Sequence, residues 1–131
     1  MMRLLGVRPP TMRPFFSFYG GKWRAARHYP PPLAGLVVEP FAGSAGYSVY
    51  HAPERAVLVD ADEAICGVWS YLIRVSAAEV RKLPDLKAGQ SVDDLRLPQE
   101  ARWLIGFCLS RGANWPRKTP SAWMREYKDK V

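Results

Sequence analysis

Leu36-Val37-Val38-Glu39-Pro40-Phe41-Ala42-Gly43-Ser44-Ala45-Gly46, continued to Asp62, is the stretch whose pattern decides the fold. Leu36-Val37-Val38 is a short apolar, β-branched run and predicts a buried strand, ended by Glu39-Pro40. Phe41 to Gly46 is a turn of small residues, and Tyr47 to His51 opens a short helix. Ala56 to Val59 predicts a second strand ending at Asp60. A helix follows, with Asp62 as its N-cap and Ile65, Val68, Trp69, Leu72 and Ile73 on one face. Strand, glycine turn, helix, strand, acid, helix is the first half of a doubly wound α/β sheet.

Outward from this unit the pattern is less regular. Pro9, Pro10 and Pro14 forbid a stable helix over residues 1–14. Phe15 to Tyr19 is an aromatic run ending in Gly20-Gly21, and Lys22 to His28 predicts a short helix. Pro30, Pro31 and Pro32 form a stiff extended linker. After Val75 the pattern changes, and Leu83 to Leu97 is loop-like, with Pro84, Gly89 and Pro98 as breakers. Pro98-Gln99-Glu100 starts another helix, in which Ala101, Leu104, Ile105 and Cys108 share a face. Arg111-Gly112 ends it, and residues 113–131 are polar, aromatic and basic.

The chain has 131 residues, the size of one ordinary domain. No stretch approaches the roughly 18 consecutive apolar residues of a membrane span, so no membrane is expected. Leu4-Leu5-Gly6-Val7 is too short for a signal-peptide core. Two distant cysteines, Cys66 and Cys108, make neither a disulfide framework nor a zinc site, and are expected to be buried thiols in a reducing cytoplasm. His28 has no metal-ligating partner at suitable spacing, and Pro53 separates His51 from Glu54, so no metal is expected.

Net charge is +7, unevenly spread. Residues 1–30 carry +6, residues 31–98 carry −3, and residues 99–131 carry +4. Basic ends around a mildly acidic middle suit a polyanion such as DNA or RNA, whose counterions clustered cations release.

Gly43 and Gly46 after the first strand let a ligand approach the backbone closely. Asp60, 17 residues after Gly43, ends the second strand, near the roughly 20-residue interval that separates a glycine turn from a ribose-binding acid. Two readings stand at this point: a nucleoside-containing cofactor, or an ordinary strand–helix turn with an acid that caps the next helix. The turn lacks the full G-x-G-x-x-G of dinucleotide binders. Gly21-Lys22 runs into Trp23, so a P-loop is excluded as a motif match.

Three blocks in order resemble the Dam-like DNA N6-adenine methyltransferases. Phe18-Tyr19-Gly20-Gly21-Lys22 is similar to their N-terminal aromatic–Gly–Gly–Lys motif. Val38-Glu39-Pro40-Phe41-Ala42-Gly43-Ser44-Ala45-Gly46 resembles their E-P-F-x-G-x-G loop, with one extra residue between the glycines. Leu58-Val59-Asp60-Ala61-Asp62 resembles their second-strand acid motif, and the match covers about residues 15–75. The resemblance implies a partial Rossmann-like methyltransferase core that binds S-adenosylmethionine (SAM) as methyl donor. It also implies adenine in double-stranded DNA as acceptor. By position, Tyr19 and Lys22 would lie against the cofactor, Phe41 and Gly43 would shape the loop beside it, and Asp60 would hold the ribose hydroxyls. Glu39 would support the loop or face the methionine amine.

The family's (Asp/Asn)-Pro-Pro-(Tyr/Phe) motif, which holds the flipped adenine, does not occur in the sequence. The expectation is a single incomplete methyltransferase domain, inactive in methyl transfer by itself, with no catalytic residue to name. Its complement would lie on a longer or separate chain, and an incomplete sheet would leave a strand edge exposed to pairing. In such enzymes the segment after the cofactor half often contacts DNA. Here residues 98–131 supply Arg111, Asn114, Arg117 and Lys118 for phosphates and base edges, with Trp115 and Trp123 as stacking platforms. The alternatives are a non-catalytic DNA-binding or regulatory remnant, and a different nucleotide-binding α/β domain.

Overall fold

The structure, a computed structural model, describes residues 12–122 and residue 124. In chain order its elements are α1 (Trp23–Ala26), β1 (Leu36–Pro40), α2 (Gly46–His51), β2 (Arg55–Val59), α3 (Glu63–Arg74), α4 (Ala77–Arg81) and α5 (Gln99–Cys108). A single 3-10 turn at Val92–Asp94 precedes α5. Among the described residues this is a small mixed α/β domain with a two-stranded parallel sheet and five α-helices. No helix in them is long and apolar enough to cross a membrane.

β1 and β2 pair in parallel, from Leu36 opposite Arg55 to Pro40 opposite Val59. Parallel strands cannot be joined by a tight hairpin, so α2 makes the crossover. β1 continues through Glu39 and Pro40 rather than stopping before them. A proline at a strand end costs the ladder little, because its missing N–H falls where pairing stops. Side chains alternate across the sheet, so Leu36, Val38, Val57 and Val59 share one face, and all four are exposed. That face is bare, whereas parallel sheets are ordinarily covered on both sides.

The core lies between α3 and α5. Ile65 and Val68 of α3 meet Leu104 and Phe107 of α5, and Phe16 inserts from the N-terminal segment. The Phe16 and Phe107 rings stand 5.1 Å apart. The two helices approach closely at Gly67, where a Cβ would come within 2.6 Å of the Trp103 ring. A second cluster, Leu86, Val92, Ile105 and Leu109, fixes the chain between α4 and α5 onto the other side of α5.

Asp62 caps α3 as its sequence position indicates, accepting from the Ala64 amide at 2.8 Å. Several expectations need correction. Ile73 is exposed, because α5 covers the α3 face bearing Ile65 and Val68 and leaves Ile73 beyond its reach. Cys66 and Cys108 are both exposed rather than buried, although protein packed around the Cys108 thiol pushes its pKa up to about 11. Residues 76–82, which the sequence pattern leaves unassigned, hold α4, set by a reciprocal cap between Ser76 and Glu79. Residues 83–97 are not loop throughout, because Ser91 caps the turn at Val92–Asp94.

Candidate functional site

The loop from Phe41 to Gly46 connects β1 to α2 and is held from four directions. Its backbone is unusual: Phe41, Gly43 and Ala45 all have positive φ, at 55°, 49° and 50°. Two of these are not glycine, so the loop stores strain that its contacts must offset.

Two carboxylates supply much of that support. Asp60, one residue past β2, accepts the Gly43 amide at 2.9 Å through Oδ2 and the Asp62 amide at 3.0 Å through Oδ1. Glu39 is buried, 5% exposed, and accepts from the Tyr47 amide at 3.2 Å and the Ser48 amide at 3.0 Å. It thereby satisfies two donors that the first turn of a helix leaves without internal partners. On the other side of Gly43, Trp69 of α3 donates its indole N–H to the carbonyl oxygen at 2.8 Å.

The N-terminal segment closes the arrangement. Lys22 donates from Nζ to the Phe41 carbonyl at 3.3 Å. Gly46 packs against the backbone of Lys22 and Trp23, where a Cβ would fall 2.4 Å from the Trp23 nitrogen. Gly43 faces the Phe18 ring, with room for no Cβ. The amide of Tyr19 donates to the Ala113 carbonyl at 3.2 Å, and its side chain is exposed.

The five residues expected at a cofactor site thus divide. Gly43 and Asp60 are hydrogen-bonded to each other, and Lys22 and Phe41 are joined through the Phe41 carbonyl. Asp60 lies on an apolar groove of about 580 Å³ between α2 and α3, with Ala45, Leu58 and Trp69. Lys22 and Phe41 lie on a separate cleft of about 700 Å³ along β1, with Val38 and Tyr47. The loop stands between the two, and Tyr19 lines neither.

The basic segment is folded back onto α5. The Arg117 amide donates to the Gly106 carbonyl at 3.2 Å and the Ser121 amide to the Leu109 carbonyl at 3.0 Å. Lys118 pairs with Asp93 at 2.7 Å, and Arg117 Nε donates to the Thr119 carbonyl at 3.3 Å. Arg111 and Asn114 are exposed, and Trp115 is 59% exposed. Arg111 lines a further cleft with Arg13, Arg24, Phe18 and Trp23. Trp123 lies outside the described residues. His51 donates from Nε2 to the Ala26 carbonyl at 3.0 Å and fastens α2 to α1.

Trp69 was hidden to sequence reasoning, which assigns an indole on an apolar helical face to the core. The available signal was its N–H, which needs a partner when the ring is buried. Compared with protein-family models, with curated proteins and with solved structures, the chain gives no match.

Proposed function

We propose that this chain is the SAM-binding part of a Dam-like DNA adenine-N6 methyltransferase, built on a partial Rossmann-like core. The observation that carries the reading is the convergence of the three motif blocks on one loop. Lys22 of the first block reaches Phe41 of the second, and Asp60 of the third reaches Gly43 of the second. Blocks far apart in sequence need not meet unless they serve one structure.

Asp60, on the groove between α2 and α3, fits the ribose of an adenosyl group. Asp60 is half-buried, and each of its oxygens accepts one backbone N–H. A carboxylate offers about four lone-pair sites, so Asp60 keeps capacity for the two hydroxyls of a ribose. The exposed rings of Tyr19 and Phe41 offer faces to a cation. Lys22 braces the Phe41 carbonyl, and Gly43 lets the loop turn where a side chain would strike Phe18. When bound, SAM supplies an activated methyl group. Glu39, Asp60 and Trp69 hold the loop in shape before any ligand arrives, which lowers the cost of ordering it on binding.

The bare sheet face at Val38 and Val57 fits a complement carried on a longer or separate chain. Double-stranded DNA is the proposed acceptor, with Arg111, Asn114, Arg117 and Lys118 as its contacts. The chain by itself is proposed to bind cofactor without transferring methyl, since the sequence holds no (Asp/Asn)-Pro-Pro-(Tyr/Phe) segment.

Calorimetric titration with SAM tests the reading. The chain is expected to bind, and Asp60→Asn to bind at least about tenfold more weakly, the worth of one hydrogen bond to a charged group. Wild-type protein that takes up no SAM at millimolar concentration overturns the proposal.

A further inference from the structure

The cleft between the N-terminal segment and the chain after α5 differs from the other clefts in its charge. It encloses about 790 Å³, and Arg13, Arg24 and Arg111 line it together with Phe18 and Trp23. Among the described residues no Asp or Glu lines it. The groove at Asp60 and the cleft at Glu39 each have a carboxylate on their walls, as do two smaller clefts at Asp85 and at Glu63. The walls are fixed from several sides. The Trp23 indole N–H donates to the Met12 carbonyl at 3.1 Å, which ties α1 to the residue before Arg13. The Tyr19 amide donates to the Ala113 carbonyl, which ties the N-terminal segment to the chain just after Arg111. Phe16, buried in the core, anchors the segment between them. Three guanidinium groups gathered without a carboxylate repel one another, and that repulsion opposes folding. Among the described residues, the side chains of Arg13 and Arg24 have no hydrogen-bond or ion-pair partner. An anion in the cleft would offset the repulsion and use those donors.

We infer that this cleft binds the phosphate of a nucleotide, with Arg13, Arg24 and Arg111 as its cationic contacts and Phe18 and Trp23 as the surface for the base. Each guanidinium presents a planar fork of N–H donors that matches phosphate oxygens. A phosphate monoester brings nearly twice the charge of a carboxylate, so it suits three cations better. Aromatic faces accept any base, because every base has a π-face. A free nucleotide and a nucleotide unit of a nucleic-acid strand present the same chemistry. Asp60 lies outside the cleft, so the inference does not depend on SAM binding. Arg117 and Lys118 do not line it either.

The experiment is calorimetric titration of the full chain with thymidine monophosphate, thymidine, inorganic phosphate and a short oligothymidylate at about 0.15 M salt, which screens long-range attraction. A thymine base keeps the test apart from any adenosyl site. The monophosphate is expected to bind about tenfold or more tighter than thymidine, the worth of one hydrogen bond to a charged group. It should also bind more tightly than inorganic phosphate, which has no base to stack. Replacing Arg13 and Arg24 together with alanine should weaken the monophosphate by about tenfold or more. Replacing Arg81 and Lys82, two exposed cations at the end of α4, removes the same charge and should leave affinity within about twofold. Oligothymidylate that binds more tightly than the monophosphate, and weakens with it in the Arg13 and Arg24 variant, makes a nucleic-acid strand the source of the phosphate. Equal affinity makes it a free nucleotide. Monophosphate no tighter than thymidine, or equal losses in the two double variants, overturns the inference. Inorganic phosphate as tight as the monophosphate overturns the base contact. If the Arg13 and Arg24 variant does not fold by circular dichroism, the wild-type ratio of monophosphate to thymidine decides. SAM binding, present or absent, changes none of these outcomes.

Discussion

The indole N–H of Trp69 donates to the carbonyl oxygen of Gly43 at 2.8 Å, tying the middle of α3 to the loop after β1. Asp60 takes the amide of the same glycine, so one residue is gripped at both its donor and its acceptor. The strained stretch from Phe41 to Ala45 is anchored at its centre by this pair of contacts. α3 is in turn fixed by α5 and Phe16, so the core transmits its rigidity to the loop.

Trp69→Phe should separate the hydrogen bond from the ring. The smaller ring keeps part of the packing on Phe15 and Phe16 and leaves the Gly43 carbonyl without its donor. The expected loss is about 1–3 kcal/mol of stability, combining a hydrogen bond and a small cavity. Urea unfolding measures it, and hydrogen exchange at the Gly43 amide should accelerate beyond the global change. Unaltered exchange there would mean that the loop holds its shape without the indole.

Gly46 and Gly20 make an informative contrast. A methyl at Gly46 would meet backbone atoms of Lys22 and Trp23, the nearest at 2.4 Å, and neither can rotate away. Gly20 has φ of +75° but open space around it. Gly46→Ala is expected to cost about 1–3 kcal/mol or more through overpacking. Gly20→Ala should cost about 1–2 kcal/mol, the left-handed backbone penalty alone. Denaturation midpoints rank the two. If the chain binds SAM as proposed, only Gly46→Ala should also weaken that binding, because it parts the Lys22 segment from the loop.

The strand–turn–helix–strand order was legible because each apolar run closes on a residue disfavoured inside a strand, Pro40 or Asp60. The cap at Asp62 was equally legible, being local. What the sequence did not disclose depends on partners far along the chain. Trp69 finds its acceptor 26 residues earlier, at a spacing no periodicity reports. Exposure of Cys66 and Ile73 depends on which face of α3 is covered by α5, a tertiary choice. The α4 helix was readable in principle, since Ser76-Ala77-Ala78-Glu79 is a capping box, but the helix is only five residues long. A pattern that short gives no hydrophobic stripe to recognise.

Glu79 gives that cap a pH dependence. Its pKa is lowered from the ordinary value of 4.5, first by the side-chain hydrogen bond from Ser76 and then by the Ser76 backbone amide. Both bonds favour the charged form, so the folded state binds the proton less readily than the unfolded chain. The cap's contribution is therefore fully present above pH 4.5 and is lost as the pH falls through the folded value. An NMR titration of the Glu79 carboxyl carbon should give a midpoint below 4.5, and Ser76→Ala should move it upward. A wild-type midpoint at or above 4.5 would show that the cap does not form in solution.

The basic segment can be tested through salt. Lys118 is held by Asp93, but both side chains are largely exposed, at 73% and 51%. An exposed pair of this kind is worth about 0–1 kcal/mol, so exchanging Asp93 for a phosphate costs little. Arg117 uses Nε on the Thr119 carbonyl, which leaves other guanidinium donors for a phosphate. If both touch duplex DNA, replacing them with alanine should lower the slope of log K against log salt by about 0.9 for each, near 1.8 in all. Asp93→Asn should act in reverse, strengthening binding by freeing Lys118 and removing a nearby anion, with stability almost unchanged. Fluorescence anisotropy over a salt series measures all three proteins. A slope unaltered by the double replacement would assign Arg117 and Lys118 to holding this segment against α5.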